Sequence, residues 1–307
     1  MKTRKLVLII ADALLLALCI VQGILKASDG AKHFDFKETP DEITITTPAE
    51  TLSLTSADGE NWLASGKYSV NKSTIDNFIE TSSSIRALNK VATANDSSLA
   101  KYELVDGKKI SVEVRKAGKV LRSFEIGKAA TSSSQAYVTI DGKKDIYLAS
   151  GNLRGTFDAT LNSIRTKTVW DFDTSTMDSL AVTKADGTSW TLSRMGSGDD
   201  IAWNFSDSSI ELDTSKAGTI LNGTANLTAS TWYDDSVKAA DLGGQFYLSA
   251  KVGHDYKTAS LEIYKIPAAD ENSSDKYYAV SSETPYTFEV AVYSVNKFDK
   301  TSEDLKK

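Results

Sequence analysis

The sequence has almost nothing with which to build a disulfide or ligate a soft metal. Its 307 residues hold one cysteine, Cys19, and two histidines, His33 and His254. Cys19 lies inside an apolar run, so the remainder carries no disulfide and no cysteine-based metal site. His33 and His254 are far apart, and neither has a metal-ligand neighbour at useful spacing. A surplus of positive charge is also missing: the net charge is −6, and no run of five or six basic residues occurs. Setting aside residues 1–26, with Lys2, Arg4, Lys5 and Lys26 against Asp12, leaves the rest more acidic still. Such a chain repels nucleic acid and anionic headgroups. No glycine-rich phosphate loop follows a strand, and Gly243-Gly244 alone does not make one. Asp171-Phe-Asp173-Thr-Ser175 starts like a calcium loop but lacks the glycine and glutamate that complete it. The acidic pairs Asp199-Asp200 and Asp234-Asp235 read as solvated loops. No cofactor or metal is therefore expected.

What is present is ordinary globular material, 41% hydrophobic and 25% charged, with enough apolar residues for a core and length for about two domains. It follows a short basic start, Met1–Lys5, and a run from Leu6 to Leu25 broken only by Asp12, Gln22 and Gly23. At 1.5 Å per residue, about twenty helical residues span roughly 30 Å, the thickness of a bilayer core. No small-x-small cleavage site closes the apolar run before Lys26, and Leu16-Ala17-Leu18 fits a lipobox before Cys19 poorly. Residues 1–26 are expected to form an uncleaved transmembrane anchor. The denser basic cluster at Lys2, Arg4 and Lys5, against Lys26, Lys32 and Lys37, favours N-in and C-out. A carboxylate at the depth of Asp12 costs about 2.5–3.5 kcal/mol on insertion scales. Two readings stand: Asp12, with Gln22, contacts another membrane helix, or Asp12 is protonated or reaches water. A large domain without disulfides fits a bacterial envelope protein. The sequons at Asn71, Asn95, Asn204, Asn222, Asn226 and Asn272 are within what a Ser/Thr-rich chain supplies by chance.

Residues 27–41 are polar and aperiodic, and read as a juxtamembrane linker. Beyond them strand signals dominate: Ile43, Ile45, Leu52 and Leu54 alternate with polar residues. Asp58-Gly59, Asp141-Gly142 and Asp186-Gly187 are hairpin turns between such runs, and Ala117-Gly118 is expected to be a fourth. Ile75, Phe78, Ile79, Ile85 and Leu88 recur at helical spacing, with Ser73 and Asp76 as a variant capping box. Burying those five side chains contributes about 8–15 kcal/mol before entropy. The pattern returns downstream. Asp58-Gly59 corresponds to Asp186-Gly187, and Val70, Ile75, Phe78, Ile79 and Ile85 to Leu212, Ala217, Ile220, Leu221 and Leu227. Tyr102 and Tyr137 pair with Phe246 and Tyr278. The expected fold is α+β: an N-terminal transmembrane helix, then two similar lobes, each an antiparallel sheet of hairpins with one packed helix. The first module spans residues 42–170 and the second 171–298, with a boundary near 165–178 and a polar tail at 299–307. A short connecting helix is expected within 150–161. Trp62, Trp170, Trp190, Trp203 and Trp232 sit in strand patterns, where core packing is the default.

Phe124-Glu-Ile-Gly-Lys128, Ala136-Tyr-Val-Thr-Ile140, Ile146-Tyr-Leu148 and Arg165-Thr-Lys167 occur in an order that resembles a bacterial domain-of-unknown-function family. Trp203 matches a tryptophan that follows in that pattern. The resemblance covers roughly residues 42–295, although the second copy offers Glu262-Ile-Tyr-Lys265 in place of Ile-Gly-Lys. It implies one N-terminal anchor, a repeated module, and an accessory role beside ABC-type transport systems linked to gliding motility, with no catalytic residues to carry over. The leading expectation is a noncatalytic single-pass protein of the bacterial inner membrane. It would hold the membrane through residues 6–25 and dock an ABC-transporter-like permease or another envelope protein. The alternative is an extracytoplasmic binding module for cell-wall polymer or a solute. A remoter one, an anchored serine hydrolase, rests on Ser69-Val-Asn-Lys72, Ser206-Asp-Ser208 and Lys257-Thr-Ala259, imperfect echoes of penicillin-binding motifs.

Overall fold

The structure, a computed structural model, describes residue 15 and residues 31–196, 201–207, 209–270 and 272–307. The expected anchor with Asp12, Cys19 and Gln22 lies outside the described residues, as do Asp199, Asp200 and Ser208. Among the described residues no helix is long and apolar enough to cross a membrane. Helices and predominantly antiparallel sheets make the chain α+β. It divides into two compact units between Thr166 and Lys167.

The N-terminal unit is built on a ten-stranded sheet. Its strands are β1 (Lys32–Asp35), β2 (Glu42–Thr46), β3 (Thr51–Ser56), β4 (Trp62–Ala64), β5 (Tyr68–Ser69), β6 (Ser84–Thr93), β7 (Ile110–Lys116), β8 (Lys119–Ala129), β9 (Gln135–Ile140) and β10 (Asp145–Ser150), in the order β1-β6-β10-β9-β8-β7-β2-β3-β4-β5. The expected hairpins are there: β3–β4, β7–β8 and β9–β10 pair antiparallel across their turns. Ala117 and Gly118 both adopt positive φ, 48° and 77°, matching the twist of a two-residue hairpin. The Asp41 carboxylate accepts from the Ala117 N–H at 3.0 and 3.1 Å and holds this unfavourable alanine conformation. The stretch expected as a linker contains β1, which pairs with β6 and buries Phe34.

The helix is shorter than its spacing suggested. Helix α1 runs Lys72–Ser83, and Ile85 and Leu88 belong to β6. Ser82 Oγ donates to Phe78 O at 2.7 Å and Ser83 Oγ to Glu80 O at 2.9 Å. These hydroxyls bond back onto carbonyls of the last two turns, and at Ser84 the chain turns extended (φ −145°, ψ 93°). Asn71, not Ser73, is the N-cap, and its side chain makes no capping hydrogen bond. Asp76 instead takes the Lys72 ammonium at 3.2 Å. Helix α2 (Asp96–Lys101) lies beside a small second core of Tyr102, Leu104 and Ile146, with Tyr137 at 4.4 Å from Tyr102. In place of one connecting helix stand two, α3 (Leu153–Phe157) and α4 (Leu161–Ile164), separated at Asp158 and restarted by a Thr160–Ser163 capping box. Phe157 stacks on Phe78 at 5.3 Å and meets Phe124 edge-on at 5.3 Å, joining α3 to α1 and the sheet. An antiparallel bridge between Val70 and Arg165 closes the unit.

The C-terminal unit has a two-stranded pair, β11 (Thr168–Asp171) with β15 (Asn226–Thr228), and an eight-stranded sheet. The remaining strands are β12 (Met177–Lys184), β13 (Ser189–Met195), β14 (Ala202–Phe205), β16 (Thr231–Trp232), β17 (Gln245–His254), β18 (Lys257–Ile266), β19 (Lys276–Ser281) and β20 (Thr284–Glu289), ordered β14-β13-β12-β17-β18-β19-β20-β16. Helix α5 (Thr214–Ala225) is capped by Asp213, whose carboxylate accepts from the N–H groups of Ser215 and Lys216 at 2.9 and 3.1 Å. Leu227 belongs to β15, just as Ile85 belongs to β6. Helices α6 (Val292–Phe298) and α7 (Ser302–Leu305) follow the sheet. The segment expected as a polar tail is therefore structural. Leu305 is only 3% exposed, Leu212 bridges Lys306, and Trp190 Nε1 donates to Lys300 O at 2.8 Å. Trp62, Trp170, Trp190 and Trp232 are buried, and Trp203 packs against the core at partial exposure.

Phe157 should behave as a keystone. Phe157→Ala should cost about 3–5 kcal/mol in urea unfolding, whereas Tyr293→Ala, at an exposed position, should stay within about 0.5 kcal/mol.

Candidate functional site

Within each unit, the described residues flagged for chemistry are taken up by local contacts. Ser69 lies on β5 and Lys72 opens α1 with its ammonium on Asp76, so Lys72 is paired away from a nucleophile. Ser206 and Lys257 belong to the C-terminal unit; Ser206 Oγ meets Ser193 Oγ at 3.1 Å. Asp173 accepts from the Ser175 N–H at 2.8 Å, a turn that holds its carboxyl below the usual carboxylate value. Asp234 caps the next turn through Ser236 N–H at 3.0 Å. His254 stacks on Phe172 with ring centroids 4.0 Å apart, and His33 is exposed on β1. Among the described residues no group of three His, Cys, Asp or Glu side chains is placed to hold a metal.

The motif residues serve packing. A Cβ on Gly127 would lie 2.1 Å from Tyr102 O; glycine lets that carbonyl approach and accept from the Lys128 N–H at 2.9 Å. Arg154 Nη1 donates to Gly127 O at 2.8 Å, anchoring α3 to β8 where its register with β9 shifts between Ile126 and Ala129. The Arg165 guanidinium is buried 4.3 Å from the Tyr68 ring centroid, within cation–π range.

Each unit also carries an open groove where its long helix meets its two short ones. In the N-terminal unit the groove holds about 450 Å³ and is lined by Ser73, Thr74, Asn77 and Phe78 of α1, Gly155 and Thr156 of α3, Asp158 and Ala159, and Ser163 and Ile164 of α4. In the C-terminal unit it holds about 490 Å³ and is lined by Lys216, Thr219 and Ile220 of α5, Tyr293, Asn296 and Lys297 of α6, Lys300, and Asp304 and Leu305 of α7. The local frames match. Thr74 and Lys216 are each the third residue of their helix, and Thr156 and Lys297 each precede the phenylalanine that ends theirs. Ala159 and Lys300 each precede a threonine N-cap, and Ser163 and Asp304 each complete its capping box. At these matched positions the N-terminal groove is uncharged, with Asp158 beside them as its one acidic lining residue, whereas the C-terminal groove bears three lysines and Asp304.

Next to Lys300 in the chain, Asp299 centres a small ionic network. The Lys184 ammonium sits 2.5 Å from Asp299 Oδ1, and Tyr247 OH donates to Asp299 Oδ2 at 2.5 Å. Burial alone would raise the Asp299 carboxyl, but these two partners outweigh it and hold the group below its ordinary value. Burial first, and then this hydrogen bond to Asp299, push the Tyr247 phenol up. Sequence reasoning missed the groove. Lys216 is far in sequence from Lys297 and Lys300, and only the packing of α5 against α6 and α7 gathers the three.

A depressed carboxyl stabilises the fold fully above its unfolded value, and that contribution is lost as pH falls through the lowered one. Asp299→Asn should therefore lower the unfolding temperature of the C-terminal unit at pH 7. The gap from wild type should shrink below about pH 4, the ordinary carboxylate range, in thermal scans across pH.

No curated protein matches the chain, and no solved structure does. A family model described as "Domain of unknown function (DUF4340)" matches residues 62–244. That match covers more than half of the 307 residues, and the chain belongs to the DUF4340 family.

Proposed function

We propose that this protein is a noncatalytic, membrane-anchored docking module of the bacterial envelope, and that its two units are copies of one α+β module. The recurrence of one open groove, at matching positions of matching helices, carries the proposal. Strand order supports the duplication: β10-β9-β8-β7-β2-β3-β4 in one unit has its counterpart in β20-β19-β18-β17-β12-β13-β14 in the other. So do the closing bridges Val70–Arg165 and Leu212–Lys306. The apolar run Leu6–Leu25 supports an inner-membrane anchor, N-in, with both units outside the cytoplasm. Asp12 and Gln22 then offer polar contacts to a partner helix, and an ABC-transporter-like permease is the partner that the resemblance implies.

Crosslinking of the full-length protein in membranes, before gentle detergent extraction, should recover one specific membrane partner. Asp12→Leu should weaken recovery about fivefold, as expected for one intramembrane polar contact of about 1 kcal/mol. A clean monomer under every condition would contradict the proposal.

A further inference from the structure

The two grooves provide an internal control for what packing alone requires. In the N-terminal unit Thr74, Thr156 and Ala159 occupy the wall, and the helices close over the sheet with no lysine there; the one charged lining residue is Asp158. Lysine at the equivalent positions of the C-terminal unit is therefore not demanded by the fold. It stands out further in a chain of net charge −6. We propose that the groove between α5, α6 and α7 binds an acidic peptide segment of a partner protein, one bearing aromatic or aliphatic side chains between its carboxylates. The site gives the docking module a recognition surface, and its failure would leave docking through the membrane segment untouched.

Three features select this ligand. First, Lys216, Lys297 and Lys300 make no ion pair among the described residues. Lys216 Nζ donates to Lys306 O at 3.0 Å, and Lys297 Nζ lies 5.7 Å from the Tyr293 ring centroid. Both ammonium groups keep further donors for carboxylates. Second, the groove has an apolar side. Ile220 and Leu305 line it together with Tyr293, which is 65% exposed, and Val292 adjoins Tyr293 at 47% exposed. That surface suits an apolar side chain and has no use in binding a phosphate polymer. Third, the backbone does not form a phosphate cradle of free N–H groups. The Thr301 N–H and Oγ1 already donate to the Asp304 carboxylate, each at 2.8 Å. Asp304 also sets one negative point on the wall, which penalises a densely charged polyanion more than a peptide whose carboxylates alternate with apolar residues.

The test uses the full-length protein in detergent micelles and a fluorescein-labelled peptide of alternating glutamate and phenylalanine, read by fluorescence anisotropy. Binding should saturate at one peptide per chain and weaken with added salt. Lys216→Glu with Lys297→Glu and Lys300→Glu should weaken it about tenfold or more, since exposed pairs are individually modest but sum. Replacing the same lysines by arginine should retain binding and guards against misfolding. Thr74→Glu with Thr156→Glu in the other groove should change nothing. Any of four results would overturn the proposal: binding insensitive to the lysine reversals, equal binding of the peptide with glutamine for glutamate, binding of polyphosphate in preference to the peptide, or lysine-dependent self-association of the chain without peptide binding.

Discussion

An antiparallel sheet with one apolar face must have that face covered, and the rest of each unit follows from how these short helices do it. In the N-terminal unit Ile75 and Phe78 of α1 and Leu153 and Phe157 of α3 come down together on Phe124 and its neighbours. Helix α1 ends where serine hydroxyls bond back onto carbonyls of its last two turns, so the chain can re-enter the sheet at once as β6. The final segment breaks at Asp158 and restarts at Thr160, which turns Ile164 inward and brings Arg165 to Val70. Short helices crossing in this way leave a groove between them, and the groove is a by-product of covering the sheet.

The C-terminal unit covers its sheet with the same pieces and different chemistry. Thr224 Oγ1 bonds Ile220 O at 2.9 Å where Ser82 bonds Phe78 O. Asp299 ends α6 with backbone angles close to those of Asp158 (φ −76°, ψ 64° against φ −79°, ψ 67°). There Asp299 gains a second role, because Lys184 and Tyr247 converge on its carboxylate. The lysines of this groove have no counterpart in the N-terminal one. A by-product of packing thus offers two surfaces of the same form, of which one is basic.

Much of the fold was legible. Turn chemistry at Asp58-Gly59, Ala117-Gly118, Asp141-Gly142 and Asp186-Gly187 located four hairpins, because a positive φ restricts residue choice sharply. The order of Ile-Gly-Lys, Tyr-Val and Ile-Tyr strands pointed to a domain-of-unknown-function family, and the chain belongs to one. Other features left no periodic trace. Ile85 and Leu88 continue a helical spacing but also fit a strand, and only the serines before them decide. Strand β1 is four residues long and buries Phe34 alone. Helix α7 is also four residues long, so Leu305 looked like an isolated apolar residue in a charged tail. The groove lysines were illegible for a different reason: Lys216 lies on α5, far in sequence from Lys297 on α6 and Lys300 just after it, and only tertiary packing joins them.

Hydrogen exchange on the intact protein, read by mass spectrometry across residues 158–166 and 299–307, tests most directly the claim that both units are closed in the same way. Amides of both segments should exchange slowly, in the same protected class as those of α1 and α5. Exchange of residues 299–307 at the rate of an unstructured chain, while 158–166 stays protected, would contradict the account.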